Sequence, residues 1–252
     1  MSAIVESRRD GVVLWTLANP PVNAISMALL EDLERLVAQA EADHTVRAAV
    51  IAGRGPTFAA GADIQGFLKL GGSLPDFLNK GAALFSRLQS SRIPVVAAVN
   101  GPALGGGNEL ALAADIRIAS TKARFGQPEV NLGIIPGWGG THRLAQMVGF
   151  SHARKLLLTG DPISAAEAYR MGLVDQVVEP ALLIETALNM AERLASLPPL
   201  ALAEIKGLLS IQADQAAQDR ETAAMGRLMV TQDAMEGIRA FMAHRRPRFI
   251  GE

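Results

Sequence analysis

The chain has no cysteine. That excludes disulfides, thiol nucleophiles and thiolate metal sites, and it fits a reducing compartment, so the expected location is cytoplasmic. It has one tyrosine and a formal net charge of -1 over 252 residues. Without a basic field, neither nucleic acid nor an anionic membrane surface is an expected partner. The four histidines, His44, His142, His152 and His244, are scattered without ligand spacing, so no metal is expected. Long uninterrupted hydrophobic runs are missing too. The most apolar stretch, IPVVAAVNGPALGGGNELALAAD, is broken by Asn100, Pro102, Asn108 and Glu109, which argues against a membrane span. The opening residues, MSAIVESRRD, reach charge too early for a secretory signal. What the chain does have is apolar bulk. At 49% hydrophobic it can bury the core of one large domain, or of one domain with a smaller appendage.

The pattern along the chain has two parts. GVVLWTLAN reads as a strand stopped by Pro20 and Pro21, and Ser26 is placed to cap a helix carrying Leu29, Leu30, Leu33, Leu36 and Val37 on one side. RAAVIAG and PVVAAVN are short and almost wholly apolar, as strands buried on both faces are, and DIRIAS is a third candidate. Helical patterns separate them, which predicts β-α-β units and a parallel sheet. After about Gly139 most stretches read as helices, with one short strand in LVDQVV. Ser164 and Glu167 form a capping box. The fold class expected from pattern alone is α/β with a helical C-terminal region.

Residues 101 to 110, GPALGGGNEL, raise the chemical question. Three glycines in a row weaken any regular element. At a strand-to-helix junction they leave the first backbone N–H groups of the helix open to a ligand. A phosphate loop does not fit, because there is no G-x-x-x-x-G-K-[ST], no register of G-x-G-x-x-G and no nearby lysine. An oxyanion site fits better, since Glu109 follows where a reaction forming an enolate needs a proton-transfer group. The competing reading is a tight turn with Glu109 in a favourable first helical turn. Two further stretches bear on the choice. FAAGADI, residues 58 to 64, is a second small-residue turn after a buried strand, placed to offer a second N–H. FGQPEVNLGIIPGWGGTHRL, residues 125 to 144, holds Glu129 in apolar surroundings between Pro128 and Gly133.

These three stretches, in this order and spacing, resemble the crotonase superfamily, and most closely its enoyl-CoA hydratases. The likeness runs from PPVNAIS to HRRPRF. It implies a fold of repeated β-β-α units with a C-terminal helical region, divided here as a core with the acyl-CoA site over 1–195 and a trimerisation region over 196–252. It implies a homotrimer or hexamer. The ligand it implies is an acyl-CoA thioester, with no tightly bound cofactor, because coenzyme A is carried by the substrate. By resemblance the oxyanion N–H groups are those of Ala62 and Gly106, and the catalytic carboxylates are Glu109, for activating water, and Glu129, for protonating C2. Ala60, Ala62, Asp63, Ile64, Gln65, Gly105, Gly106 and Val22 match substrate-binding positions. Asn108 departs from the pattern beside the chemistry. So does the tail, where His244, Arg245 and Arg246 stand in place of the family's lysine against the coenzyme phosphates; a solvated basic end is the other reading.

The joint presence of Glu109 and Glu129 favours hydration of a 2-enoyl-CoA to a 3-hydroxyacyl-CoA. A 3,2-enoyl-CoA isomerase using mainly Glu129 is the runner-up. From another class comes a non-catalytic acyl-CoA binding protein, or a member with a secondary RNA-binding role. Phe67, Leu68, Leu70 and Phe77 either line an acyl pocket or pack into neighbouring helices, and Trp138 either touches the pocket or caps the turn before GGTHRL.

Overall fold

Strands that are apolar at every position need cover on both faces, and the sheet is built to give it. The computed structural model describes residues 3–63, 66, 74–209, 231–245 and 247–252. Six strands form the main sheet: β1 (Ile4–Arg9), β2 (Val12–Leu17), β3 (Ala48–Gly53), β4 (Val95–Val99), β6 (Ile116–Ser120) and β9 (Gln176–Val178), in that spatial order. β1 pairs antiparallel with β2, and every later pair is parallel. In β3 and β4 the alternation is regular. Ala49, Ile51, Val95, Ala97 and Val99 enter the larger core, which also holds residues of α1 (Met27–Ala42) and α2 (Leu74–Ser90). Ala48, Val50, Ala52, Val96 and Ala98 enter a second core closed by Leu183, Ala187 and Ala191 of α6 (Leu183–Ala195).

A second, smaller layer follows from what happens after each central strand. β4 runs into β5 (Pro102–Leu104) and then α3 (Gly106–Ala113), while β6 runs into β7 (Arg124–Gly126). β5 pairs with β7, and β7 with β8 (Ile163–Ser164). β3 is followed by a lone bridge from Ala59 to Ala103 of β5, and Ala62 bridges to Ile25. This is the β-β-α repeat implied by the resemblance. The parallel strands and the late strand at LVDQVV stand where the pattern placed them. β1, β5, β7 and β8 were not foreseen.

Helix ends follow local chemistry. Ser26 caps α1 by accepting from the Leu29 N–H. The Ser164–Glu167 capping box opens α5 (Ala165–Arg170). α4 (Gly140–Thr159) is broken at Gly149, whose φ of 74° and ψ of 160° are not helical. Arg92 gathers the carbonyls of Ala40, Glu41, Asp43 and Val46 where α1 ends. Further on, α7 (Pro199–Leu209) docks on the core through buried Lys206. Its ammonium donates to Leu88 O at 3.2 Å, Ile93 O at 2.7 Å and Asp115 Oδ2 at 2.6 Å. α8 (Gln232–Met242) is tied to the chain end, where Asp233 accepts from the N–H groups of Ile250 and Gly251.

Truncating Lys206 takes the ammonium away from two carbonyls and from Asp115 Oδ2, which still accepts from the Val95 N–H. Lys206→Ala should therefore lower stability by about 2–4 kcal/mol, read as a fall in the urea midpoint. A midpoint equal to that of the parent chain would contradict the role given to this lysine.

Candidate active site

The parallel bridge between Ala59 and Ala103 sets two adjacent turns of the repeat in register. Ala62 and Gly106 each lie three residues beyond it, so they come side by side. A Cβ on Gly106 would stand 3.4 Å from the Ala62 nitrogen. Among the described residues neither N–H has an acceptor, and both border one cleft. Gly106 is also the first residue of α3, so the positive end of that helix points the same way.

Each of the three glycines has its own reason. Gly105 takes φ 51°, and a Cβ there would meet Glu129 Oε1 at 2.9 Å. A Cβ on Gly106 would strike Trp138 Cζ3 at 2.4 Å. One on Gly107 would lie 1.9 Å from Ala59 O, which no rearrangement of side chains can relieve.

Glu109 sits in the first turn of α3 and is 2% exposed. A carboxyl group at that depth needs donors. Its Oε1 accepts from the backbone N–H of Trp138 at 2.7 Å and of Gly140 at 2.8 Å. Gly140 begins α4, so a second helix N-terminus faces the carboxylate. Burial raises the Glu109 pKa above the ordinary carboxylate range, while the two N–H groups and the Arg143 charge oppose the rise. Arg143 is buried and holds the loop from behind. It donates to Trp138 O, to Gln89 Oε1 at 2.9 Å and to Ser86 Oγ at 3.2 Å.

Glu129 lies in a 3-10 turn, Pro128–Leu132, closed by Gly133 in the left-handed conformation. It is half-buried. Desolvation, with the neighbouring charge of Glu109, pushes its pKa up to about 7, against the pull of its own backbone N–H. Gln127 is 1% exposed. With its amide nitrogen turned toward the carboxylate, it donates to Glu129 Oε1 at 3.2 Å, Oε2 at 3.3 Å and Gly105 O at 3.3 Å. The opposite orientation would set an amide oxygen against three acceptors.

Between the carboxylates and the N–H pair lies a cleft of about 120 Å³, walled by Leu78, Leu104, Leu132, Ile134, Ile135 and Trp138. Ala60, Ala62, Gly105, Gly106, Glu109 and Glu129 all line it. Trp138 borders the cleft, whereas Phe77 packs behind the indole, edge to face, with ring centroids 5.2 Å apart. Val22 is exposed, and its carbonyl accepts from the Ala60 N–H. The Asp63 N–H is committed to Ile25 O, and its carboxylate accepts from the Gly66 N–H. Ile64, Gln65, Phe67, Leu68, Leu70 and Arg246 lie outside the described residues. Arg245 forks onto Glu236 at 2.6 and 2.8 Å. Among the described residues no cluster of side chains could hold a metal ion, and no helix is long and apolar enough to cross a membrane.

Sequence reasoning missed the donors at Trp138 and Gly140, the support from Arg143 and the role of Gln127. The glycine pair after Trp138 was the one visible hint of a helix N-terminus there.

The family model described as enoyl-CoA hydratase/isomerase matches residues 7–252. The chain belongs to the enoyl-CoA hydratase/isomerase family. Over its full length and theirs it is 41% identical to a probable enoyl-CoA hydratase of Bacillus subtilis and to the 2,3-dehydroadipyl-CoA hydratase of Escherichia coli. It is 38% identical to a short-chain-enoyl-CoA hydratase of Clostridium acetobutylicum, with 98% of this chain and 97% of that one covered. The crystal structure of enoyl-CoA hydratase from Bacillus anthracis superposes with a TM-score of 0.95 at 36% identity, covering 99% of this chain and 100% of that one. The mixed α/β architecture is thus the crotonase-type fold of this family.

The like charge of Glu109 contributes to the raised Glu129 pKa, so removing it should lower that pKa. In a carbon-13 titration of labelled glutamates, one carboxyl should titrate near pH 7, and its midpoint should move down in Glu109→Gln. An unmoved midpoint would mean that the two groups do not interact.

Proposed function

We propose that this cleft adds water across the 2,3 double bond of a 2-enoyl-CoA thioester, with Glu109 and Glu129 sharing the proton transfers. Hydration of an enoyl-CoA is the activity of this chain. The reading of the residues rests on one observation: two buried-side carboxyl groups and two N–H groups without acceptors open onto the same cleft. As water adds at C3, charge moves to the thioester oxygen. The N–H groups of Ala62 and Gly106 are already aimed where it collects, so little reorganisation opposes the step. Glu109, whose Oε1 accepts from the N–H groups of Trp138 and Gly140, takes the proton from water. Glu129, neutral up to about pH 7, gives its proton to C2. The pair ends with as many protons as it began, moved from Glu129 to Glu109. Exchange between them or with solvent resets the site, and the two titrate as a unit.

The strip from Ala60 to Gln65 and the carbonyl side of Val22 would lie along the coenzyme, which arrives with the substrate, so no separate cofactor is needed. Large apolar side chains left in water outside the cleft, among them Phe150, Leu158, Tyr169 and Leu209, support a homotrimer or hexamer built partly by residues 196–252. A soluble enzyme of the cytoplasm fits the absence of cysteine.

With crotonyl-CoA, the absorbance of the conjugated thioester should fall on adding the protein. Glu109→Gln and Glu129→Gln should each lower kcat by at least about 10²-fold, and the double variant should cost far less than the product of the two. If Glu129→Gln alone abolishes turnover, the activity is isomerisation. If acyl-CoA binds and nothing turns over, the chain is a binder. Light scattering at micromolar protein should give a mass of three or six chains, and a monomer mass would contradict the assembly.

A further inference from the structure

Trp138 is a large side chain in a place built from small ones. The indole is 2% exposed. One edge presses on Gly106, where a Cβ would lie 2.4 Å from Cζ3. The other edge presses on Gly81 of α2, where a Cβ would lie 2.4 Å from Nε1 and Cε2. Phe77 and Phe85 meet its faces edge-on at 5.2 and 5.4 Å. Among the described residues its buried Nε1 has no hydrogen-bond partner, so shape rather than a polar bond sets the ring. The ring therefore fills the space between the oxyanion N–H of Gly106 and helix α2. Beside it, Leu78 closes the wall: a Cβ on Gly137 would touch Leu78 Cδ2 at 3.3 Å.

The cleft that Trp138 and Leu78 wall is the one that Ala62, Gly106, Glu109 and Glu129 also line. We propose that the Trp138 indole sets the acyl length the cleft accepts and restricts it to short 2-enoyl chains, with Gly81 as the slot that admits the ring. This rests on the acyl-CoA reading of the cleft. A hydrophobic wall discriminates by excluding volume, and one methylene too many is worth about 10–200-fold at such a wall.

The test compares crotonyl-CoA with 2-octenoyl-CoA in the full chain, Trp138→Ala and Trp138→Phe. The parent should prefer crotonyl-CoA in kcat/KM by at least about tenfold. Trp138→Ala should shift the ratio toward the longer chain by at least about tenfold, and Trp138→Phe by less. Gly81→Ala drives a Cβ into the ring, so it should lower crotonyl-CoA turnover in the parent and leave the ratio of Trp138→Ala where it is. Calorimetric binding of butyryl-CoA against octanoyl-CoA reads the same preference without chemistry. Should Trp138→Ala fail to fold, Trp138→Phe and Gly81→Ala still decide. A ratio unchanged within about twofold in a folded variant, by both kinetics and binding, overturns the inference and leaves hydration standing. Binding preference without hydration of either substrate overturns the hydratase reading and leaves this one standing.

Discussion

The contact between Ala59 and Ala103 is the constraint on which the site depends. Two turns of a β-β-α repeat can be far apart in sequence and still end in register, provided their second strands touch. Once they do, whatever lies three residues further along each strand is brought together. The cost is crowding. α3 starts so close to the neighbouring strand that a side chain at 107 would overlap Ala59 O, and Gly105 must turn with positive φ to let the helix begin. The glycines answer to the packing of two adjacent strands as much as to any ligand.

The second constraint is the burial of a carboxyl group at Glu109. Glu109 is deep enough for desolvation to favour its neutral form. Backbone donors oppose this without bringing a competing charge into the cleft. Trp138 and Gly140 supply them because Arg143, anchored on Gln89 and Ser86, fixes the loop that carries them. Desolvation, with a like charge beside it, moves the Glu129 pKa up to about 7. Two chemically identical groups thus acquire different proton affinities from their surroundings alone.

Much of this could be read from the residues. The double-faced strands at 48–53 and 95–99 were visible because burial on both sides removes polar positions. Glu109 and Glu129 were visible because a carboxyl group in apolar sequence is chemically conspicuous. β5, β7 and β8 were not, since strands of two or three residues carry no period. β1 hid because IVESRR is an edge strand with mostly outward-facing side chains. The donors to Glu109 are backbone groups, which every residue has, so identity could not announce them. Phe77 was left open between pocket and packing, and Trp138 between the pocket and a turn cap; Trp138 borders the cleft and Phe77 lies behind it.

The face of the sheet turned toward α6 is set with alanines: Ala48, Ala52 and Ala98 on the strands, Ala187 and Ala191 on the helix. An alanine has no rotamer to lose when it is buried. The alanine part of the seam between sheet and helix therefore forms without side-chain entropy loss, beside Val50, Val96 and Leu183, which do have rotamers. It contributes less burial energy than leucine or isoleucine would, but it fixes a distance. β3 and β4 lie on this seam, and each runs on toward one of the two free N–H groups. The spacing of the two strands that lead to these nitrogens is set in part by alanines that have no rotamers to change.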